Sequence, residues 1–397
     1  MNLMSLVFIN LFRNKLRTLL TFLSVMIALF LFCALGGVLD TLAESIKVGS
    51  QTRLVVRNKI SLIFPLPLSY RDRLAAVPGV KRVGYNNWFG GQDPADPHGF
   101  FAQFAGDDEY YGIYAPDMAV VEASPPQAPT PVPSGADPRL GAFFAERNAA
   151  VVGRKLMLSK GWKLGQTVTI SGTIFPGAWP MVIRGVYTVK KKGFSEDAMF
   201  FRWDYLNERG MGGQGQVGTY VLEISDPARA PDIARSIDAM FENSSAATHT
   251  ESEQAFQAGF VSMYGNIPFA LRIIGLAVVF AILLVAANTM VMAIRERTRE
   301  IGVLKTLGFS DRTVFVMVVL EAAMITVLAG TLGALGAKFL IEGVGFNLGG
   351  FLPPMSVYWG TVVLGIGIAA LLGAVSGLIP AWQASRLRIV EALRRVD

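Results

Sequence analysis

Four long apolar runs, at 16–39, 267–294, 313–340 and 356–381 of a 397-residue sequence, constrain this chain more than anything else. Each is about 24 to 28 residues long, enough for a tilted helix to cross a ~30 Å hydrocarbon layer. A cleaved signal peptide has an apolar core of only ~7–15 residues, so the first run reads as a retained span. Ahead of it, residues 1–15 set Leu3, Leu6, Val7 and Leu11 against Arg13 and Lys15, which predicts an interfacial helix. The runs make transmembrane helices 1 to 4, and the chain a membrane protein rather than a large soluble enzyme.

Charge orients the spans. The formal net charge is +6, but residues 40–266 are near neutral. The excess Lys and Arg gathers at the N-terminus, in 295–312 and in the tail 382–397. That distribution fits the positive-inside rule, with both termini cytoplasmic, and not a nucleic-acid-binding face. Cys33 is the only cysteine, so no intrachain disulfide forms and multi-cysteine metal sites are excluded. His98 and His249, far apart, read as surface residues. Neither offers a nucleophile–base pair, so the chain is read as non-catalytic.

Residues 40–266 hold no run long enough to cross a membrane and form one extracytoplasmic domain. Its flanks, 45–115 and 200–255, each read strand–helix–strand, which predicts an α+β unit built from both. Short β-like runs separated by Gly and Pro predict a β-rich insert over 140–199. Residues 122–138, rich in Pro, Ala and Ser, read as an exposed loop. Asp107, Asp108 and Glu109 read as a solvated acidic loop, and Lys190 to Lys192 as a solvated basic turn. The stretch 346–354 is an expected turn between spans 3 and 4.

Segment 295–312 carries the strongest signal. Arg295, Glu296, Arg297, Arg299 and Glu300 cannot lie in hydrocarbon, so the second span must leave the bilayer there. Ile301, Leu304, Leu307 and Gly308 recur at helical spacing, giving a short helix one apolar face. Glu321 is then roughly 13 Å into the third span, and an intramembrane carboxylate at that depth needs a partner on a neighbouring helix. Lys338, near the far end of that span, is expected to snorkel. Gly330, Gly333 and Gly336 on span 3, and Gly365, Ala369, Gly373 and Gly377 on span 4, put small residues where helices pack closely.

The run RERTREIGVLKTLGF, the basic entry NLFRNKLRTLLT, and Pro380, Ala381, Ala384, Leu387, Glu391, Ala392, Leu393 and Arg394 resemble FtsX/MacB-type ABC transporter permeases, the type VII ABC superfamily. The resemblance implies four spans, a porter-like α+β domain with a β-rich insert, and a bacterial inner-membrane location. It implies a cytoplasmic ABC ATPase as partner, a second permease copy or paralogue in a dimer, and a periplasmic adaptor in some members. No GxxxxGK[ST] run occurs, so the ATPase is expected as a separate polypeptide that holds the ATP and Mg, with no cofactor or metal on this chain. The segment would dock on that ATPase through Ile301, Val303, Leu304 and Leu307, with Arg299, Glu300 and Lys305 at the rim and Gly308 closing it. Leu304→Asp is the substitution this reading singles out. The second span, continuous with 252–265, would relay the push, for efflux or for lipoprotein or lipid export by mechanotransmission. Two other functions remain open: an FtsX-like regulator of a cell-wall hydrolase, and a membrane receptor without an ATPase.

Overall fold

A computed structural model describes residues 15–97, 99–126, 130–190, 195–209, 214–263, 265–344 and 355–388. The expected interfacial helix, His98, Lys191 and Lys192, the turn at 346–354 and the last residues of the tail lie outside these. The chain divides into two compact units, one holding the long apolar helices and the other spanning Leu42–Gly265.

In chain order, α1 (Lys15–Val48) is followed by β1 (Arg53–Asn58), β2 (Leu66–Pro67), α2 (Tyr70–Ala75), β3 (Val80–Trp88), β4 (Gly91–Gln92), β5 (Ala102–Gly106), α3 (Asp108–Tyr114) and β6 (Met118–Ala123). Then come α4 (Gly141–Ala145), β7 (Ala149–Gly153), α5 (Arg154–Lys160), β8 (Thr167–Gly172), β9 (Gly177–Val189), β10 (Ala198–Arg202) and α6 (Trp203–Arg209). β11 (Gln216–Val217), β12 (Thr219–Ile224), α7 (Ala230–Phe241), β13 (Thr248–Ser252) and α8 (Glu253–Met263) complete the domain. The remaining helices are α9 (Ile267–Glu296), α10 (Thr298–Thr306), α11 (Asp311–Val344) and α12 (Trp359–Ser385).

The two flanks interleave in one sheet, ordered β13-β1-β12-β3. The β1–α2–β3 unit leaves a gap that β12 fills, antiparallel to both neighbours. The β12–α7–β13 unit leaves a gap that β1 fills. Each strand–helix–strand unit is thus completed by the other, a split βαβ arrangement.

The β-rich part is not a separate inserted sheet. From β3 the hydrogen bonding passes to β5, then β10, β7, β9, β8 and β4. β4 and β5, from the first flank, pair with β8 and β10, and β10 runs on to Arg202, beyond 199. The expected loop at 122–138 also needs correcting. Glu122 and Ala123 belong to β6, which pairs antiparallel with β9, and Ser124 is buried. Val120 on this short strand packs with Leu140, so a tertiary partner overrides the polar flavour of the stretch.

Successive residues of the central strands enter opposite cores. Ala150 and Val152 of β7, Met199 and Phe201 of β10, and Tyr220 and Leu222 of β12 join one cluster with Phe241 and Trp179. Ala149, Val151, Ala198, Phe200 and Val221 join the other with Phe143 and Tyr187. A sheet buried on both faces explains strands that read as continuous apolar runs.

The acidic triplet is not a plain solvated loop. Asp107 caps α3, accepting from the Tyr110 amide at 2.9 Å and the Tyr85 amide at 2.9 Å. Asp108 faces Arg202 and Glu109 faces Arg82. Burial pushes the Asp107 carboxyl up to about 6, against the pull of those two amides and of Arg71, with Asp108 adding to the rise. An acid raised in the folded state favours folding while protonated, and that advantage is lost as pH climbs from 3.8 through about 6. Asp107→Asn keeps the capping oxygen and removes the charge. It should raise stability above pH 7 by roughly 2 kcal/mol, and the gain should vanish near pH 4 in melts recorded at both pH values. An equal gain at both would exclude the titration.

In the other unit, α11 and α12 pack through small residues. A Cβ on Gly373 would lie 2.0 Å from Thr326 Oγ1 and 2.6 Å from Ala323 Cα, and one on Gly377 3.2 Å from Val319 Cα. On Gly330 it would lie 2.4 Å from Ala369 Cβ, on Gly365 2.7 Å from Cys33 Sγ, and on Gly333 2.3 Å from Met26 O. Gly333 therefore admits α1 rather than α12, and Gly336 is looser, 3.8 Å from Phe30. Gly373→Ala should destabilise the helix unit by about 1–3 kcal/mol. Gly367→Ala, where nothing lies within 4 Å, serves as the neutral control in the same thermal scan. Equal midpoints would deny the close approach its importance.

Lys338 does not snorkel. It is buried, donating to Glu342 Oε1 at 2.8 Å and to the Val357 carbonyl at 2.7 Å, with Trp359 beneath it. Nor is the second span continuous with 252–265. Ser252 ends β13, α8 stops at Met263, and Gly265 takes a φ of +68° before α9 begins.

Candidate functional site

The charged segment forms a helix between two helical ends. α9 closes at Arg297, whose φ of −101° and ψ of 12° break the run, and α10 restarts at Thr298. Beyond its last residue α10 is closed by Gly308, where φ is +94°. The Phe309 amide bonds the Leu304 carbonyl at 3.2 Å and the Gly308 amide bonds that of Lys305 at 3.1 Å. This is the Schellman closure, and it requires the left-handed backbone that glycine supplies at no steric cost.

Burial divides α10 differently from the expected face. Ile301 and Gly302 are buried, and Ile301 packs with Met290, Ile294, Val314, Val318, Ala381 and Ala384. Ile301 is therefore a core residue, not an anchor for a partner. Lys305 is also turned inward, its side chain only 8% exposed. It donates to the carbonyls of Ser385 and Leu387 and pairs with Asp311 at 2.8 Å. A lysine against the last carbonyl of α12 and that of Leu387 just beyond it satisfies groups that a helix terminus leaves open, so Lys305 is not a rim charge.

Arg299, Val303 and Leu307 form the exposed face, with Val303 45% and Leu307 72% exposed. Glu300 and Leu304 are half-buried on the flank. Both line a cleft of about 300 Å³ between α9, α10 and α11, with Met290, Ile294, Met317 and Val318. Leu304→Asp would thus disturb this cleft as well as any docking surface.

Arg297 and Glu321 meet at one wall of that cleft. Arg297 Nη1 donates to Glu321 Oε1 at 2.7 Å and to Oε2 at 3.0 Å, and the carboxylate is buried. The acid in the third apolar helix thus has a charged partner from a neighbouring element. Sequence reasoning missed that partner, because Arg297 reads as one more solvated charge. Arg17, near the start of α1, pairs with Glu296 at the end of α9. His249 stands apart, half-exposed on β13 and 3.8 Å from Glu251.

Four helices are long and apolar enough to cross a membrane. Together with the α+β domain between the first two and the short charged helix between the second and third, they define a multi-pass membrane protein of the permease class. The family model described as MacB-like periplasmic core domain matches residues 18–240, and that described as FtsX-like permease C-terminal matches residues 272–389. The macrolide export ATP-binding/permease protein MacB of Bdellovibrio bacteriovorus is 29% identical over 197 residues, 46% of this chain and 29% of that protein. MacB of Nitrobacter winogradskyi is 25% identical over 291 residues, 64% of this chain and 40% of that one. The uncharacterized ABC transporter permease YknZ of Bacillus subtilis is 31% identical over 110 residues, 27% of this chain and 26% of that one. The matched segments span less than half the length of each of these relatives. The chain belongs to the FtsX/MacB family of ABC transporter permeases.

Proposed function

We propose that this chain is the membrane subunit of an ABC exporter, that a separate cytoplasmic ATPase binding ATP and Mg docks on α10, and that the α+β domain moves in response. The exposed face Arg299–Val303–Leu307 carries this reading, because the opposite face of α10 is held against the chain's own helices. Two apolar side chains one turn apart beside an arginine suit a groove that buries a small anchor cluster behind a charged rim. The positive-inside rule puts α10 in the cytoplasm and the α+β domain across the inner membrane of a bacterium. A second permease copy or paralogue completes the assembly, with an adaptor on the far side. The cargo class, by analogy with the relatives named for macrolide export, is a lipophilic efflux substrate, with a lipoprotein or lipid as the other export cargo in this reading.

Mild-detergent affinity purification from native membranes, with mass spectrometry of the eluate, tests the proposal. A stoichiometric ABC ATPase is expected. A preparation without one, even after crosslinking, would overturn the reading.

A further inference from the structure

We infer that the charged segment is the common node of the helix unit, and that the Arg297–Glu321 pair is the positioning contact that sets the orientation of α10. A docking role for α10 rests on the function proposed above; the node itself does not.

Three charged residues of the segment each reach a different long helix. Glu296 meets Arg17 of α1. Arg297 meets Glu321 of α11, with one nitrogen spanning both carboxylate oxygens. Lys305 meets the last carbonyl of α12 and that of Leu387 just past it, while α9 runs directly into the segment at Arg297. Of the three, the Arg297 contact has the most leverage. Arg297 is the residue at which the helical torsions are interrupted, and its side chain is anchored one helix away. The backbone torsions at a lone helix break are soft, and a buried charged hydrogen bond across the break selects one of the accessible angles. A push on α10 then reaches α1, α11 and α12 together, where a segment tied only to its sequence neighbours would move α9 and α11 alone.

The test uses the full chain in nanodiscs with no ATPase present, so its outcome is separate from that of the docking reading. In a Cys33→Ala background, spin labels at Val303 on α10 and Trp382 on α12, both exposed, report their separation by pulsed electron paramagnetic resonance. The parent should give one narrow distance distribution. The Arg297→Met/Glu321→Met double variant removes both charges of the pair together and should keep its helix content and melting midpoint. Its distribution should nevertheless widen at least twofold. Where that variant does not fold, Glu321→Met alone, in which Arg297 can turn to solvent, should widen it likewise. Parental width in either variant overturns the inference.

Discussion

Replacing Glu253 by alanine is expected to lower the stability of the α+β domain by about 3–5 kcal/mol, since removing one partner of a buried ion pair leaves its counter-charge uncompensated. Glu253 opens α8 and is 3% exposed. It accepts from Arg53 Nε, from the Tyr114 hydroxyl and from the Ser50 amide, each at 2.7 Å. Arg53 also donates to Asp117 at 2.6 Å and lies over the Tyr114 ring. Burial alone would lower the Arg53 pKa, but Glu253, Tyr114 and Asp117 overcome it and raise it, so the guanidinium stays charged. Burial, and then the charge of Glu253, pushes Tyr114 well above its ordinary value, so it remains a neutral donor. Among the described residues Arg53 Nη2 already has no hydrogen-bond partner. Losing Glu253 would remove the acceptor that Arg53 Nε, the Tyr114 hydroxyl and the Ser50 amide share. For a domain of this size the thermal midpoint should fall by about 10 °C, measured by near-UV circular dichroism on the full chain in detergent. Glu253→Gln, which keeps an acceptor, should fall less. A midpoint for the alanine variant within about 2 °C of the parent would mean that the network contributes nothing to stability.

The second large effect concerns the exposed face of α10. Val303→Asp combined with Leu307→Asp should abolish recovery of the ATPase while membrane insertion and melting behaviour stay parental. Both side chains are exposed and lie outside the buried cluster, Val303 also lining the cleft beside Leu304, so the structural cost should stay near the ~0.5 kcal/mol of surface substitutions generally. Two desolvated carboxylates in a groove built for apolar anchors would cost several kcal/mol of binding, enough for at least a thousandfold loss. Quantitative co-purification against an internal standard provides the readout. Parental recovery would move the docking surface elsewhere, the cleft beside Leu304 being the next place to look.

The four spans were legible because an unbroken run of twenty-odd apolar residues is longer than a buried core helix needs and matches the thickness of a bilayer. The strand–helix–strand order of the two flanks was legible too, since Leu54–Val55–Val56 and Tyr220–Val221–Leu222 are short apolar runs each followed by a helix-like segment, but the interleaving of the two units was not. What could not be read was which side of α10 faces in. A nine-residue helix with its C-cap carries Ile301 on one side and Val303 and Leu307 on the other, and periodicity finds a face without saying what covers it. Lys305 was misassigned for a related reason. Its long apolar stem lets a charged head travel to carbonyls at and just past the end of α12, far away in sequence. The strands of the β-rich part were legible, but their partners were not, because those pairings are equally non-local: the first-flank residue Phe104 aligns with Phe200, and Glu122 with Val186. Nothing near 102–106 or 122 announces those neighbours.

The interleaving of β1 has a consequence for how the protein is made. Arg53 aligns with Glu223 and Leu54 with Ser252, so β1 leaves the ribosome long before either of its partners exists. Until residues 219–252 follow, a strand that is apolar on both faces waits with both edges open, the condition under which nascent chains mispair and aggregate. Biogenesis of this domain should therefore be slow, set by loop closure across nearly its whole length. It should depend on a holdase that shelters the first strand until the last one arrives.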